Sequence, residues 1–240
     1  VESTKDEDEA LCRPARSYQL LGHEIRVSQG DAVLTNTGWR TWAGSWLLVK
    51  HLEARLPLRN SSAPLRILDL SCGTGLAGVA LAKAGYEVVL CDMQVNVQTA
   101  KDNLARNRSP DSPAVDRACV VGYNWGRSLP EELHKAFDVV LCGDLLYHVW
   151  NGRLETEFQM TLQEICRRAN KGVEVFFGGQ TRSGRQEDQV IDRAAQRLSF
   201  QQELIPLEPQ WFDAADSPLA ANTKYRLMRL WAPVESETVS

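Results

Sequence analysis

The chain has 240 residues, a hydrophobic fraction of 43% and a formal net charge of −4. That length fits one large domain with its own core, and no apolar run approaches the ~20 residues that a membrane-spanning helix needs. The first ten residues account for the whole net charge, with five acidic residues against Lys5. The rest of the chain then holds 26 basic residues (27 less one) and 26 acidic residues (31 less five). Such a balance lacks the positive excess of a dedicated nucleic-acid-binding protein, and we expect neither a nucleic acid nor a membrane as a partner.

The cysteines indicate the cellular compartment, and the chain ends indicate the boundaries of the domain. None of the six cysteines forms a CxxC pair, and Cys91 and Cys142 fall in strongly apolar segments. We therefore expect neither structural disulfides nor a metal site, and we expect a reducing compartment, the cytoplasm or else the nucleus. Residues 1–16 are expected to form an acidic disordered tail, residues 17–232 a single domain and residues 233–240 a short C-terminal tail.

A hairpin and a helix are predicted ahead of the main sheet. Residues 18–28 alternate around Gly22 and His23, which is typical of a small β-hairpin. Ser45 can cap a helix that runs from position 46 to about position 56, and Pro57 would end it.

Three tryptophans, Trp39, Trp42 and Trp46, stand within eight positions around the start of this helix. We expect at least one of them to pack the helix onto the sheet, although an indole can also line a ligand site.

Residues 65–92 form the stretch around which the chain is organised. A short apolar run, positions 67–70, predicts a buried parallel strand, and the turn at positions 71–75 carries two glycines that permit a positive φ. Positions 76–84 predict a helix that ends at Gly85, and positions 87–91 predict a second strand with Asp92 at its carboxyl end. The succession of strand, glycine turn, helix, strand and acid is one βαβ nucleotide-binding unit.

The remaining chain predicts an α/β fold. Further strands are predicted at positions 117–121, 137–142 and 173–178, with helices at 95–107, 154–169 and 188–198. Positions 200–207 and 224–231 are predicted to be two strands joined by a loop without a helix. The whole is a Rossmann-like, seven-stranded and mostly parallel sheet with helices on both faces, one antiparallel strand and the small N-terminal hairpin.

Two acidic residues bear on which nucleotide binds. The glycines satisfy GxGxxG, and Asp92 lies fourteen positions beyond Gly78, so a dinucleotide enzyme such as an NAD-dependent one is possible. However, Asp69 places a carboxylate where a dinucleotide would put its pyrophosphate, and like charges repel there. The ammonium and sulfonium of S-adenosylmethionine suit that carboxylate, and Asp92 can accept hydrogen bonds from ribose. We therefore expect S-adenosylmethionine as the cofactor, although Asp69 could instead cap the following helix.

The candidate residues follow four different predicted strands, and ligands of open α/β sheets bind outside the carboxyl ends of the strands. They are Asp69, Asp92, Trp125, and the pair Asp144 and Tyr147. Packing roles remain open for Trp125 and Tyr147, and Asp144 could cap the next helix.

With these residues placed, the chain resembles methyltransferase family 16, the seven-β-strand protein lysine methyltransferases with a DxxY motif. The resemblance extends from about position 18 to position 231. Its motifs are GHEIRVS at 22–28, Trp42, ILDLSCGTGL at 67–76, VVLCD at 88–92, NWG at 124–126 and VVLCGDLLY at 139–147. It departs from the family at Ser71, where glycine is usual and the extra side chain could weaken cofactor affinity, and at Ala43, where Asp often follows the Trp.

The resemblance implies an enzyme that transfers a methyl group from S-adenosylmethionine to a lysine of a protein substrate. It assigns the substrate side to Asp144 and Tyr147, as catalytic residues, and assigns the cofactor to the other matched positions. The implied cofactor contacts are Trp42, Asp69, Ser71, Cys72, Gly73, Gly75, Asp92, Met93, Trp125 and Gly143. Among these, Met93 and Trp125 would enclose the adenine.

Several other functions remain open. A histidine or small-amine methyltransferase would share the cofactor half. A nucleic-acid N-methyltransferase usually has two prolines between the Asp and the aromatic residue of this motif, and here both positions are leucine. A non-catalytic binding module could also keep the fold.

Overall fold

The computed structural model describes residues 15–30, 37–55, 64–109, 113–169 and 172–233. A seven-stranded sheet with helices on both faces lies beside a two-stranded hairpin. The strands are β1 (Ala15–Leu20), β2 (His23–Ser28), β3 (Arg66–Leu70), β4 (Glu87–Asp92), β5 (Cys119–Gly122), β6 (Val139–Gly143), β7 (Glu174–Gln180), β8 (Gln201–Leu204) and β9 (Tyr225–Trp231). The α-helices are α1 (Ala43–Arg55), α2 (Leu76–Lys83), α3 (Val97–Arg106), α4 (Leu146–Asn151), α5 (Glu155–Arg168), α6 (Arg185–Leu198) and α7 (Pro209–Asp213).

The strand order decides where a ligand can bind. The sheet runs β5-β4-β3-β6-β7-β9-β8, and all pairs from β5 to β7 are parallel. Strand β9 is antiparallel to both β7 and β8. The chain adds β4 and β5 on one side of β3, and then adds β6 and β7 on the other side. Strands β3 and β6 therefore flank the topological switch point, where a crevice opens at the carboxyl ends of the strands.

The core is divided between the two faces of the sheet. The hairpin and helices α1, α2 and α3 cover one face, where Trp46 is fully buried. Helices α4, α5 and α6 cover the other face, around Phe158 and Phe177. Strand β6 is almost entirely buried because both of its faces are covered, which explains its continuous apolar run. The burial of Trp46 confirms the packing role expected for at least one of the three tryptophans.

The predicted fold class is confirmed, with differences at several element ends. The hairpin turns at positions 21–22, and β1 begins at Ala15, before the expected domain boundary. Helix α1 begins at Ala43, so Ser45 lies within it and is not its cap; Pro57 lies outside the described residues. Residue 117 belongs to a 3₁₀ turn, Pro113–Arg117, and the strand begins only at Cys119.

Two short helices were not predicted: α4 follows β6, and α7 lies within the segment expected to be a loop between β8 and β9. Among the helices of the described ranges, none combines the length and the apolar character needed to cross a membrane.

Candidate active site

The turn after β3 forms the floor of the crevice. The N–H groups of Ser71 and Cys72 both donate to the Cys91 carbonyl, at 2.8 and 2.9 Å, which fixes the turn against the end of β4. Ser71, Gly73 and Gly75 all have positive φ, at 74°, 53° and 83°. The positive φ of Ser71 explains why glycine is usual at this position, because a left-handed backbone favours glycine and strains an L-residue. The Cys72 side chain is buried, and its contact with the cofactor stays a prediction.

Asp92 links the glycine turn to the start of α3. One oxygen accepts from the Gly73 N–H at 2.7 Å, and the other accepts from the Met93 N–H at 2.8 Å and from Asn96 Nδ2 at 2.7 Å. Burial raises the pKa of this carboxyl, and these hydrogen bonds oppose the rise. The carboxylate therefore stands at the crevice, as the sequence predicts, already oriented by three donors.

Asp69 lies deeper than Asp92. Its side chain is 1% exposed, and Oδ2 accepts from the Gly78 N–H at 2.9 Å, within the first turn of α2. Burial raises its pKa to about 7, and the nearby Asp92 charge adds to that rise. The Asp69 side chain therefore caps helix α2, which is the alternative that the sequence left possible. Its contact with the cofactor stays a prediction.

The residues expected around an adenine are only partly brought together. Met93 is 50% exposed at the end of β4, although it is a large apolar side chain. Trp125 is half-buried and packs edge-on against Phe158 of α5, with ring centroids 5.2 Å apart. Both lie beside the carboxyl ends of β4 and β5, and their pairing around an adenine stays a prediction.

Gly143, the last residue of β6, lies against the start of α1, since a Cβ there would come 3.4 Å from the Ser45 N atom. This close approach, with Asp144 directly after it, places the end of β6 against the helix that carries Trp42 at its start.

Asp144 is held from three directions. Its backbone has a φ of +50°, and its N–H donates to the Gly178 carbonyl at 2.8 Å. One side-chain oxygen accepts from the Gly44 N–H in the first turn of α1, and the other accepts from the Gln180 N–H at 2.9 Å. Asp144 therefore caps a helix 100 residues away rather than the helix that follows it, and it connects α1 to β7.

A cluster of aromatic and cationic side chains surrounds Asp144, and sequence reasoning missed one of its members. The Arg182 Nη1 atom lies 3.2 Å from Asp144 Oδ1. The Arg182 guanidinium carbon also lies 5.1 Å from the Trp42 ring centre and 5.6 Å from the Tyr147 ring centre. The structure thus brings Asp144 and Tyr147 together, and it places Trp42, which is expected at the cofactor, in the same cluster. Arg182 could have been found by the same signal, because it follows the carboxyl end of β7.

His148 is a second residue beside this cluster that the sequence analysis does not include among the candidates. Its Nε2 lies 3.0 Å from Thr37 Oγ1, and its ring meets that of Tyr147 at 5.6 Å. Partial burial lowers its pKa, and the nearby Arg182 charge lowers it further. The imidazole is therefore mainly neutral at pH 7.

A cavity of about 220 Å³ opens beside this cluster. Its lining includes Arg16, Arg40, Trp42, Asp144, Gln180 and Tyr225. An elongated side chain entering here would reach the Asp144 carboxylate.

The crevice residues fit S-adenosylmethionine. Asn96 is 2% exposed, and its Oδ1 is a buried acceptor that has no hydrogen-bond partner among the described residues, beside the Asp92 carboxylate. Carboxylate and amide oxygens suit ribose hydroxyls, and the exposed Met93 side chain suits an apolar ring face. No His, Cys, Asp or Glu cluster within the described ranges has the makings of a metal site.

Solved structures place this architecture in a known class. The methyltransferase domain of bacterial CtHen1-C superposes with a TM-score of 0.56 at 15% identity, covering 79% of this chain and 97% of that domain. The S-adenosylmethionine-dependent methyltransferase from Agrobacterium tumefaciens gives a TM-score of 0.58 at 16% identity, over 91% of this chain and 70% of that one. The chain therefore has the fold of these methyltransferases.

Sequence comparison identifies the family within that class. The lysine methyltransferase family model matches residues 22–195. Protein N-lysine methyltransferase METTL21A of Xenopus tropicalis is 27% identical over 72% of this chain and 74% of its own length. EEF1A lysine methyltransferase 3 of Mus musculus is 26% identical over 67% of this chain and 69% of its own length. The chain belongs to the lysine methyltransferase family, as its motifs predicted.

Proposed function

We propose that this protein methylates a lysine side chain of a protein substrate at the crevice over β3 and β6. The observation that carries the proposal is the placement of two carboxylates on either side of the glycine turn. Asp92 ends β4 on one side, and Asp144 follows β6 on the other. Asp92 would serve the cofactor, while Asp144, with Trp42 and Tyr147 around it, would serve the amine.

The acceptor amine must lose a proton before it can react. A lysine ammonium has a reference pKa of about 10.4 and no lone pair. When bound, S-adenosylmethionine supplies a methyl group on a positively charged sulfur. That positive charge and desolvation both lower the pKa of a neighbouring ammonium.

Asp144 would orient the amine rather than keep its proton. Both of its oxygens already accept hydrogen bonds from the protein, from Gly44, Gln180 and Arg182. The two backbone donors, Gly44 and Gln180, fix the direction of the carboxylate. The proton would pass to water, and Tyr147 would hold the amine in line. Positioning of this kind can contribute up to about 7–11 kcal/mol to catalysis.

The test separates substrate binding from cofactor binding. The protein is incubated with radiolabelled S-adenosylmethionine and a cell lysate, and the labelled band is identified. Asp144→Asn should abolish labelling while adenosylhomocysteine still binds in calorimetry. Asp92→Asn should weaken adenosylhomocysteine binding itself, because the amide has one acceptor oxygen where the carboxylate has two.

A matched control is Asp138→Asn. Asp138 also accepts a backbone N–H, that of Arg66 at 2.8 Å, but at the opposite end of β6. The Asp138→Asn variant should label the lysate substrate as strongly as the wild type does. Normal labelling by Asp144→Asn would contradict the substrate role assigned to Asp144.

The protein substrate is a narrower proposal. One relative is named for methylating the lysine of EEF1A, so EEF1A is the first candidate to add to the labelling reaction. We also propose the cytoplasm as the site of the reaction, on the basis of the unpaired cysteines of the described ranges. Labelling of separated cytoplasmic and nuclear extracts would test this. A labelled histidine, small amine or nucleic acid instead of a lysine would contradict the proposal.

A further inference from the structure

Arg182 stands where the proposed function requires the substrate ammonium. A cation-binding position has a carboxylate and aromatic faces within about 6 Å, because both attract positive charge. Here the carboxylate is Asp144 and the aromatic faces are Trp42 and Tyr147. The guanidinium of the chain itself occupies that position.

The position is sheltered. The Asp144 side chain is 5% exposed and that of Arg182 is 22% exposed. A carboxylate this buried would be costly to leave without a cation. Any second cation that approaches Asp144 must therefore replace Arg182 rather than bind beside it.

Hydrogen bonds anchor the backbone at Arg182, while its side chain extends to Asp144. The Arg182 N–H donates to the buried Glu187 carboxylate, at 3.2 Å from the nearer oxygen, and the Thr181 N–H donates to the Lys224 carbonyl at 2.9 Å. These bonds hold the chain after β7 in place whether or not the guanidinium contacts Asp144. A swing of the side chain thus requires no rearrangement of the strand.

The cavity supplies room for the exchange. Asp144 and Gln180 line both the 220 Å³ cavity beside Trp42 and a smaller one beside Arg182 and Tyr147. A lysine side chain arriving through the larger cavity would reach Asp144, which Arg182, a lining residue of the smaller cavity, already contacts.

We propose that Arg182 is an internal competitor that occupies the acceptor-amine site and is displaced by the substrate lysine. This inference rests on the proposed function. It predicts that the apparent affinity of the site for an ammonium is lowered by the fraction of molecules in which Arg182 fills it.

The experiment uses n-butylammonium, which reproduces the lysine side chain, and the full chain without cofactor. Binding is measured by saturation-transfer NMR and titration in four proteins: the wild type, Arg182→Ala, Arg182→Lys, and Arg182→Ala combined with Asp144→Asn. Arg182→Ala should bind at least about tenfold more tightly than the wild type, because the competitor is gone. Arg182→Lys keeps a cation in the site and should return to weak binding. The double variant should lose the tighter n-butylammonium binding that Arg182→Ala alone shows.

Arg55→Ala is the matched control. Arg55 also pairs with a carboxylate, Glu174 at 2.6 Å, and lies against an aromatic ring, that of Phe176 at 5.5 Å, but at the far end of α1. Its removal should leave n-butylammonium binding unchanged. Arg182→Met serves as a second neutral variant, and circular dichroism checks the fold of each protein.

Equal n-butylammonium binding by the wild type and by folded Arg182→Ala or Arg182→Met would overturn the proposal and leave Arg182 a structural partner of Asp144. That outcome would leave methyl transfer untouched, because the measurement needs neither cofactor nor turnover. A failure of adenosylhomocysteine to bind the wild type would instead count against the proposed function.

Discussion

At the scale of single residues, the crevice contains two acids whose surroundings differ. Asp92 has three donors around its two oxygens, whereas Asp69 has the N–H of Gly78 within a fully buried site. Burial dominates for Asp69, so its pKa rises to about 7 from an ordinary value of 3.8. The protein without cofactor therefore holds a carboxyl that ionises near neutral pH.

The first prediction follows from that pKa. Asp69 binds its proton more tightly in the folded than in the unfolded chain, so it reduces stability as pH rises from about 4 to about 7. Asp69→Asn keeps an oxygen for the Gly78 N–H and removes the titration. The stability of this variant relative to the wild type should increase by on the order of 2 kcal/mol between pH 5 and pH 8. Urea unfolding at several pH values measures the difference, and a constant difference would show that Asp69 does not titrate in this range.

At the scale of elements, α1 and β7 lie so close together that a side chain at Gly44 would not fit between them. A Cβ on Gly44 would lie 2.3 Å from the Gly178 carbonyl oxygen and 2.6 Å from Asp144 Oδ2. Asp144 can cap α1 only because Gly44 carries no side chain. The beginning of α1 is thus set by a partner 100 residues away, which is why Ser45, the residue with the local capping signal, lies inside the helix.

The second prediction concerns this junction. Gly44→Ala should destabilise the protein by about 2–3 kcal/mol through overpacking, and it should reduce labelling because Asp144 is displaced. Ser45→Ala, at the next position of the same helix, should change stability by no more than roughly 0.5 kcal/mol. Thermal and urea unfolding compare the two variants. Similar stability of both would mean that the junction tolerates a side chain.

At the scale of the whole molecule, one crevice collects residues from the ends of four parallel strands. The sheet order puts β3 and β6 side by side, so the glycine turn, Asp92 and Asp144 open onto the same edge. A ligand bound there contacts several elements at once. It should therefore stabilise the folded chain as a unit.

The third prediction is the identity of that ligand. Adenosylhomocysteine at one hundred times its dissociation constant should stabilise the protein by about 2.7 kcal/mol, and NAD should not. Thermal unfolding with each compound measures the effect. Asp92→Asn should reduce the shift at the same adenosylhomocysteine concentration. A shift with NAD alone would favour the dinucleotide interpretation of the glycine turn.

The sequence by itself determined the central βαβ unit, the sheet class and the identity of most crevice residues. These features depend on local signals: the apolar run before Asp69, the positive φ that Gly73 and Gly75 permit, and the acid at the end of β4. Such signals act within a few residues, so they survive in the sequence as patterns.

Only the tertiary structure decided which groups surround Asp144. Asp144 caps α1 and meets Arg182 because β6, β7 and α1 converge, and none of those partners is near it in the sequence. Hydrogen bonds and cation–aromatic contacts of this range leave no periodic pattern, since their geometry exists only once the sheet has formed. The glycine turn and the acids at the strand ends were therefore visible in the sequence, whereas the contact between Arg182 and Asp144 was not.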